Sequence, residues 1–409
     1  MSATSAGRID SRRLELIGIV LIAVLILILL PLVLDIFRLN LVGKYLTYAF
    51  VAIGLVLCWG QTGILSLGQG LFFRLGGYCM AAFLKLEASS VANTKIQSTP
   101  GIPDFMDWNQ LTALPYFWVP FKSLPVALIA VIAVPTILAF ILGAALFKRR
   151  VGGVYFAIIT QALALVMTIL IVGQQGYTGG INGITDLRTL LGWDIRTDSA
   201  KYILYFVCCV LLLGTMFVAR FVLASKLGRI LVATRDKEDR VRFSGYDVAN
   251  YKIFVFCLAS AMAGVGGAMF TLQVGFMSPS FVGIVPSIDM VIFCAVGGRN
   301  SIVGAVAGTL LVNWAKTMFS EAFPELWLFA MGVIHRRRRC LSARHRRRDD
   351  RPDHSEVRDK VPNVERLRWC SAERGAGTGR IGERSRWHLA PISCSRSNPS
   401  ACHSTASKP

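Results

Sequence analysis

The stretch "LELIGIVLIAVLILILLPLVL", residues 14–34, decides what kind of protein this is. As a helix it would run about 31 Å at 1.5 Å per residue, enough to cross a hydrocarbon core of about 30 Å. Arg8, Arg12 and Arg13 stand ahead of it, as basic residues stand ahead of a secretory signal. The apolar run is too long for a signal, and no A-x-A cleavage site follows it, so it reads as a retained first span.

Runs of the same kind recur near 40–59, 62–86, 124–147, 151–173, 201–224, 251–275, 283–297 and 302–320. The 409 residues are 54% hydrophobic and only 17% charged, a balance that soluble domains rarely reach. The expected fold is all-α, a polytopic transmembrane helical bundle of about nine complete spans plus a truncated last one. It divides into a cytoplasmic N-terminal segment (1–13), a transmembrane domain (14–334) and an Arg-rich tail (335–409).

Lys and Arg set the orientation. The N-terminal arginines, "KRR" at 148–150 and the loop from Lys226 to Lys252 can share one side, which is then cytoplasmic. The loops near 87–123 and 174–200 face outward, with Trp108, Trp118 and Trp193 as candidates for the outer interface. The last span fails. From Pro324 to Ile334 there are 11 residues before "HRRRR", roughly 16 Å of helix. The tail carries 17 Arg and 2 Lys, against 15 Arg and 10 Lys before residue 335, and holds all five histidines. That composition fits a disordered, out-of-frame translation of a GC-rich gene. It lacks a nucleic-acid-binding motif, and a lipid-binding arm would follow a completed helix rather than interrupt one.

No enzyme is legible. The sequence has no Walker A segment, no G-x-S-x-G, no His before residue 335 and no paired carboxylates on one face. Cys340 and His345 lack a second pair to complete a metal site, and no cofactor is implied. Polar, Gly-rich interruptions of apolar helices point instead to a transport path. Two stand out. In "GQTGILSLGQGLFFRLGGY" (60–78), Thr62, Ser66 and Gln69 are spaced four and three apart and are expected on one helix face. In "GQQGYTGGINGITDL" (173–187), glycines alternate with Thr178, Asn182, Thr185 and Asp186. Neutral donors and acceptors of this kind suit a small polar solute. Arg74 is an isolated charge within the third span. The charged segment "SKLGRILVATRDKEDRVRFSGYDVANYK" (225–252) offers a surface for a soluble partner.

That last segment resembles the coupling loop of ABC-importer permeases of the branched-chain amino-acid type. "GQTGILSLGQGLFF", "YTGGINGITDL" and "VGGRNSIVGAVAGTLLVNW" are similar to further blocks of the family, and the likeness covers about 14–333. "DFMDWNQLTALPYFWVPF" (104–121), and the run from "MSPSFVGIVPSIDM" through "SEAFPELWLF", are similar to the urea-transporting branch. The resemblance implies a multi-pass subunit of the bacterial inner membrane that imports urea by alternating access. Its implied partners are a second homologous permease, two cytoplasmic ATPase subunits, a periplasmic binding protein and membrane lipid, with no nucleic acid. ATP binds the ATPase partners, and Arg235, Asp236, Glu238, Arg240 and Gly245 fall in the block that docks them. Gln69 stands where the family commonly has His, Arg74 where a small residue is usual, and Gln61 where an aromatic is frequent. A branched-chain amino-acid permease and an ATP-independent urea channel are the alternatives, with a basic-tailed scaffold as a third. A channel has no need of a charged docking helix.

Overall fold

A computed structural model describes residues 15–90, 94, 97, 99–281 and 283–322. The N-terminal segment 1–13, the unfinished last span and the 335–409 tail lie outside the described residues. The helices are α1 (Glu15–Val33), α2 (Ile36–Gln61), α3 (Gln69–Ala88), α4 (Asp104–Trp108), α5 (Leu124–Phe147) and α6 (Gly153–Gly173). They are followed by α7 (Asp198–Ala224), α8 (Lys226–Asp236), α9 (Glu238–Phe243), α10 (Val248–Val274), α11 (Ile284–Gly297) and α12 (Ile302–Ala322).

Local chemistry sets these boundaries. Side-chain oxygens of Thr197, Ser225 and Asp247 accept hydrogen bonds from the N–H groups of Ala200, Leu227 and Ala249, and so start α7, α8 and α10. Gly275, at φ +75°, ends α10. Between α6 and α7, β1 (Thr189–Leu190) pairs antiparallel with β2 (Trp193–Asp194). Leu191 and Gly192, at φ +53° and +78°, make the tight turn that two positive φ values allow.

α10 is the hub, packing most extensively on α3, α5 and α2. Small residues let it in. A Cβ on Gly267 would fall on the Phe73 carbonyl oxygen of α3, and one on Gly264 would fall on the Val131 carbonyl of α5. That carbonyl is free because Pro135, four residues on, has no N–H to offer it. Burial follows the same order. The most apolar window of α2 is 78% buried and that of α10 is 72%, against 11% for α1 and 28% for α5 and α6. The outer helices show Leu, Ile, Val and Phe to their surroundings, the pattern of lipid-facing helices.

Among the described residues, seven helices are long and apolar enough to cross a membrane: α1, α2, α5, α6, α7, α10 and α12. All nine expected stretches are helical, but two differ from expectation. The third starts only at Gln69, because residues 62–68 are not helical. The eighth, α11, has 14 residues, about 21 Å, which is short of the hydrocarbon thickness. Of the three tryptophans, Trp108 is exposed, but Trp118 is buried against Phe105. The polytopic helical bundle stands.

Candidate translocation and coupling sites

The interruption after α2 begins with a π-helical stretch, Val56–Gln61, and Gly63 at φ +80°. A side chain on Gly63 would be strained in that conformation. The Thr62 hydroxyl donates to the Leu57 carbonyl at 2.9 Å and the Ile64 N–H to Cys58 at 2.9 Å, so the chain turns back on the helix end. Ser66 and Gln69 then sit inside the bundle, at 0% and 1% exposure. The Ser66 hydroxyl and both Gln69 amide atoms have no hydrogen-bond partner among the described residues. Each buried orphan costs about 1–3 kcal/mol, which a polar guest would recover. Gly68 abuts the Thr160 carbonyl of α6, and Gly70 abuts the Ser287 hydroxyl of α11. The α3 N-terminus, with its first-turn N–H groups, therefore opens among neutral polar groups from three elements.

Sequence reasoning put Thr62, Ser66 and Gln69 on one helix face. The structure corrects this: Thr62 and Ser66 are in the non-helical link and Gln69 is the first residue of α3. Thr178 and Asn182 are not beside them. Thr178 bonds the Ile171 and Gln174 carbonyls just past the end of α6, and Asn182 is exposed in the loop beyond. From Thr160 to Gly173 is about 20 Å along α6, so the two polar breaks lie at different depths.

Arg74 is fully buried in α3, in a second polar region. Its guanidinium lies 4.5 Å from the centre of the Phe270 ring and 4.9 Å from that of Phe73. It also bonds Tyr48 and approaches the Met277 sulfur at 3.7 Å. Lys44 of α2 is 5.9 Å from the same Phe270 ring. Nearby, Lys316 of α12 bridges Asp289 of α11 at 2.9 Å, and the Tyr45 and Thr317 hydroxyls pair. Sequence reasoning found Arg74 but missed Lys44, Asp289 and Lys316. Each was visible as a charge inside an apolar run, the usual mark of a functional position.

The basic end carries α8 and α9. Arg235 donates to the Gly60 carbonyl at 2.8 Å and to Asp236 at 3.1 Å. Beside it, Gln61 donates to the Asn300 carbonyl at 3.3 Å and Arg299 lies over the Trp59 ring at 5.4 Å. The last turn of α8 is thus tied to the interruption, which Gln61 ties in turn to the α11–α12 turn. Glu238 bridges Arg242 at 2.5 Å and Lys252 at 2.7 Å, fixing α9 to the start of α10. Partial burial pushes the Glu238 carboxyl up, but these two cations outweigh it and hold its pKa below the ordinary value. Arg240 is exposed, and Gly245, at φ +83°, closes α9.

At the far end, a cavity of about 440 Å³ is lined by Lys85, Gln97, Asp104, Asp186 and Arg188 among others. Lys85 bridges Asp104 at 2.9 Å, and Asp186 holds both Arg188 and Arg196 at 2.6 Å. Burial raises the Asp104 pKa, but the Lys85 bond and charge, with Gln97, bring it below the ordinary value. The Arg188 hydrogen bond does the same for Asp186. No metal-binding group of His, Cys, Asp or Glu exists among the described residues.

Residues 37–334 match the family model described as branched-chain amino acid transport system / permease component. The chain belongs to that family. Over 309 residues it is 26% identical to the high-affinity branched-chain amino acid transport system permease protein LivM of Escherichia coli (strain K12), which covers 70% of this chain and 64% of LivM. It is 22% identical over 292 residues to the probable branched-chain amino acid transport permease protein LivM of Methanocaldococcus jannaschii, covering 70% of this chain and 82% of that one. The probable LivH permease of the same archaeon is 25% identical over 280 residues, covering 66% and 76%. No solved structure matches. The chain thus spans less than two thirds of the length of the Escherichia coli relative. The family match and the apolar helices make it a multi-pass membrane protein.

Proposed function

We propose that this permease is the membrane-spanning subunit of an ATP-driven importer that moves urea across the bacterial inner membrane by alternating access. It works with a second homologous permease, two cytoplasmic ATPase subunits and a periplasmic binding protein. The observation that carries the importer reading is the tie from α8 to the α2–α3 interruption, through Arg235 and Gly60. A charged helix pair at the basic end, clamped to a polar break inside the bundle, is what an external motor needs. A passive channel does not need it. Arg235 and Glu238 hold the helix pair in place, while Asp236, Arg240 and Gly245 lie at its surface or turn, where an ATPase would dock. The break also suits urea. Ser66 and Gln69 offer uncharged hydroxyl and amide groups, and residues 104–121 are similar to the urea-transporting branch.

A second reading, import of branched-chain amino acids, is favoured by the cations Lys44, Arg74 and Lys316 in the region of Asp289, and by the names of the relatives. Uptake of labelled urea separates the two readings. Cells lacking their own urea import would carry this chain with its partner subunits. Energy-dependent urea uptake that ignores excess leucine supports the urea importer. Leucine uptake without urea uptake establishes the second reading, and urea uptake that survives ATP depletion establishes a channel.

A further inference from the structure

Charges in the apolar helices are not scattered. α5 and α6 contain no Asp, Glu, Lys or Arg, whereas α2, α3, α11 and α12 supply Lys44, Arg74, Asp289 and Lys316. Lys316 and Asp289 are not sealed in the core: their side chains are 34% and 14% exposed. A charge open to hydrocarbon costs about 2.5–3.5 kcal/mol even on the lenient scale, so this face turns to water or protein rather than to lipid. Asp289 is bonded through Oδ2 to Lys316, its one hydrogen-bonding partner among the described residues, which leaves Oδ1 open. Phe293, one turn along α11 on the same face, lies 6.0 Å from Tyr48, which in turn lies 5.6 Å from Phe73 and 5.7 Å from Phe270. A carboxylate paired with Lys316 through one oxygen therefore borders a group of aromatic rings.

We propose that Asp289 is the specificity-determining residue for amide solutes on the α11–α12 face of the transport path. The proposal rests on the reading of the chain as a urea importer. Urea is flat and neutral. Its two amino groups present a parallel pair of N–H donors along one edge, matched in spacing to the two oxygens of one carboxylate. Its carbonyl oxygen, at the other end, accepts from an ammonium such as that of Lys44. Its faces suit aromatic rings. The solute would share Oδ2 with Lys316 while taking Oδ1. The carboxylate of an amino acid would be repelled by Asp289 and would seek Lys44 or Arg74 instead.

The test uses the complete importer in cells, with labelled urea uptake as the readout and the amount of assembled complex recovered from the membrane as a check on folding and assembly. Asp289→Asn keeps size but can no longer accept the paired N–H groups with charge. It is expected to raise the half-saturating urea concentration roughly 10- to 100-fold. Asp289→Glu is expected to keep most of the uptake. The exchange Asp289→Lys with Lys316→Asp restores an ion pair while moving the carboxylate to α12, and is expected to stay defective. Wild-type uptake from the exchanged chain would make the pair a structural tie and overturn the proposal. So would an unchanged half-saturating concentration in Asp289→Asn. Absence of urea uptake by the wild-type importer would overturn the proposal together with the reading beneath it.

Discussion

At the residue scale, close backbone contact leaves particular glycines no substitute. On Gly267 a methyl group would land on the Phe73 carbonyl oxygen, and on Gly76 it would land on the Gly264 carbonyl. Both obstacles are backbone, which cannot swing aside as a side chain would. We expect Gly267→Ala to destabilise the bundle by about 1–3 kcal/mol, the range for overpacking. Thermal unfolding of the detergent-solubilised protein measures this. Gly214 has open space around it, so Gly214→Ala serves as the control and should be stable to within about 0.5 kcal/mol. Arg235 makes a different kind of contact. Its bond to the Gly60 carbonyl links a loop helix to a transmembrane one, so in the proposed importer Arg235→Ala should reduce solute uptake while ATP is still hydrolysed. If uptake and ATPase coupling are both unchanged, the clasp transmits nothing.

At the element scale, α9 is held to α10 by Glu238, whose carboxylate bonds Arg242 and Lys252. Its folded pKa lies below the ordinary 4.5, so the contribution of this tie is present above that value. It is lost as the pH falls through the lowered, folded value. Hydrogen exchange of α9 backbone amides should therefore be flat between about pH 7 and 5, after correction for intrinsic rates, and rise below about pH 4. Glu238→Gln should show the raised exchange at every pH. The same scale shows what was legible beforehand. Apolar run length located the seven spans among the described residues, because hydrocarbon demands it, although it had suggested nine. The positions of Gly60, Gly63 and Gly68 marked the interruption, yet the four-and-three spacing of Thr62, Ser66 and Gln69 suggested a continuous helix. Spacing tests a helix only where one exists, and a π-turn followed by a positive φ at Gly63 had ended it. The pairing of Asp289 with Lys316, 27 residues apart, was not legible, because it depends on how α11 folds back on α12.

At the scale of the whole molecule, two surfaces face different solvents. Ile129, Ile137 and Ile141 of α5 are exposed in a helix without a single charge, which fits contact with lipid tails. On α12, Leu311 and Trp314 are also exposed, but Lys316 and Asp289 are close by and partly open. An apolar surface that borders a half-open ion pair is poorly suited to lipid and well suited to a protein neighbour or a water-filled path. Cysteine scanning distinguishes the two faces. In a chain whose accessible native cysteines have been replaced, Trp314→Cys should react with a membrane-impermeant maleimide in the permease alone. In the importer proposed above, the reaction should slow when a second permease is co-expressed and covers that face. Ile137→Cys should resist the reagent in both cases, since a thiol in hydrocarbon is neither ionised nor reached by it. Equal, slow labelling at both positions would mean that α12 also faces lipid. The half-open Asp289–Lys316 pair would then need another source of shelter.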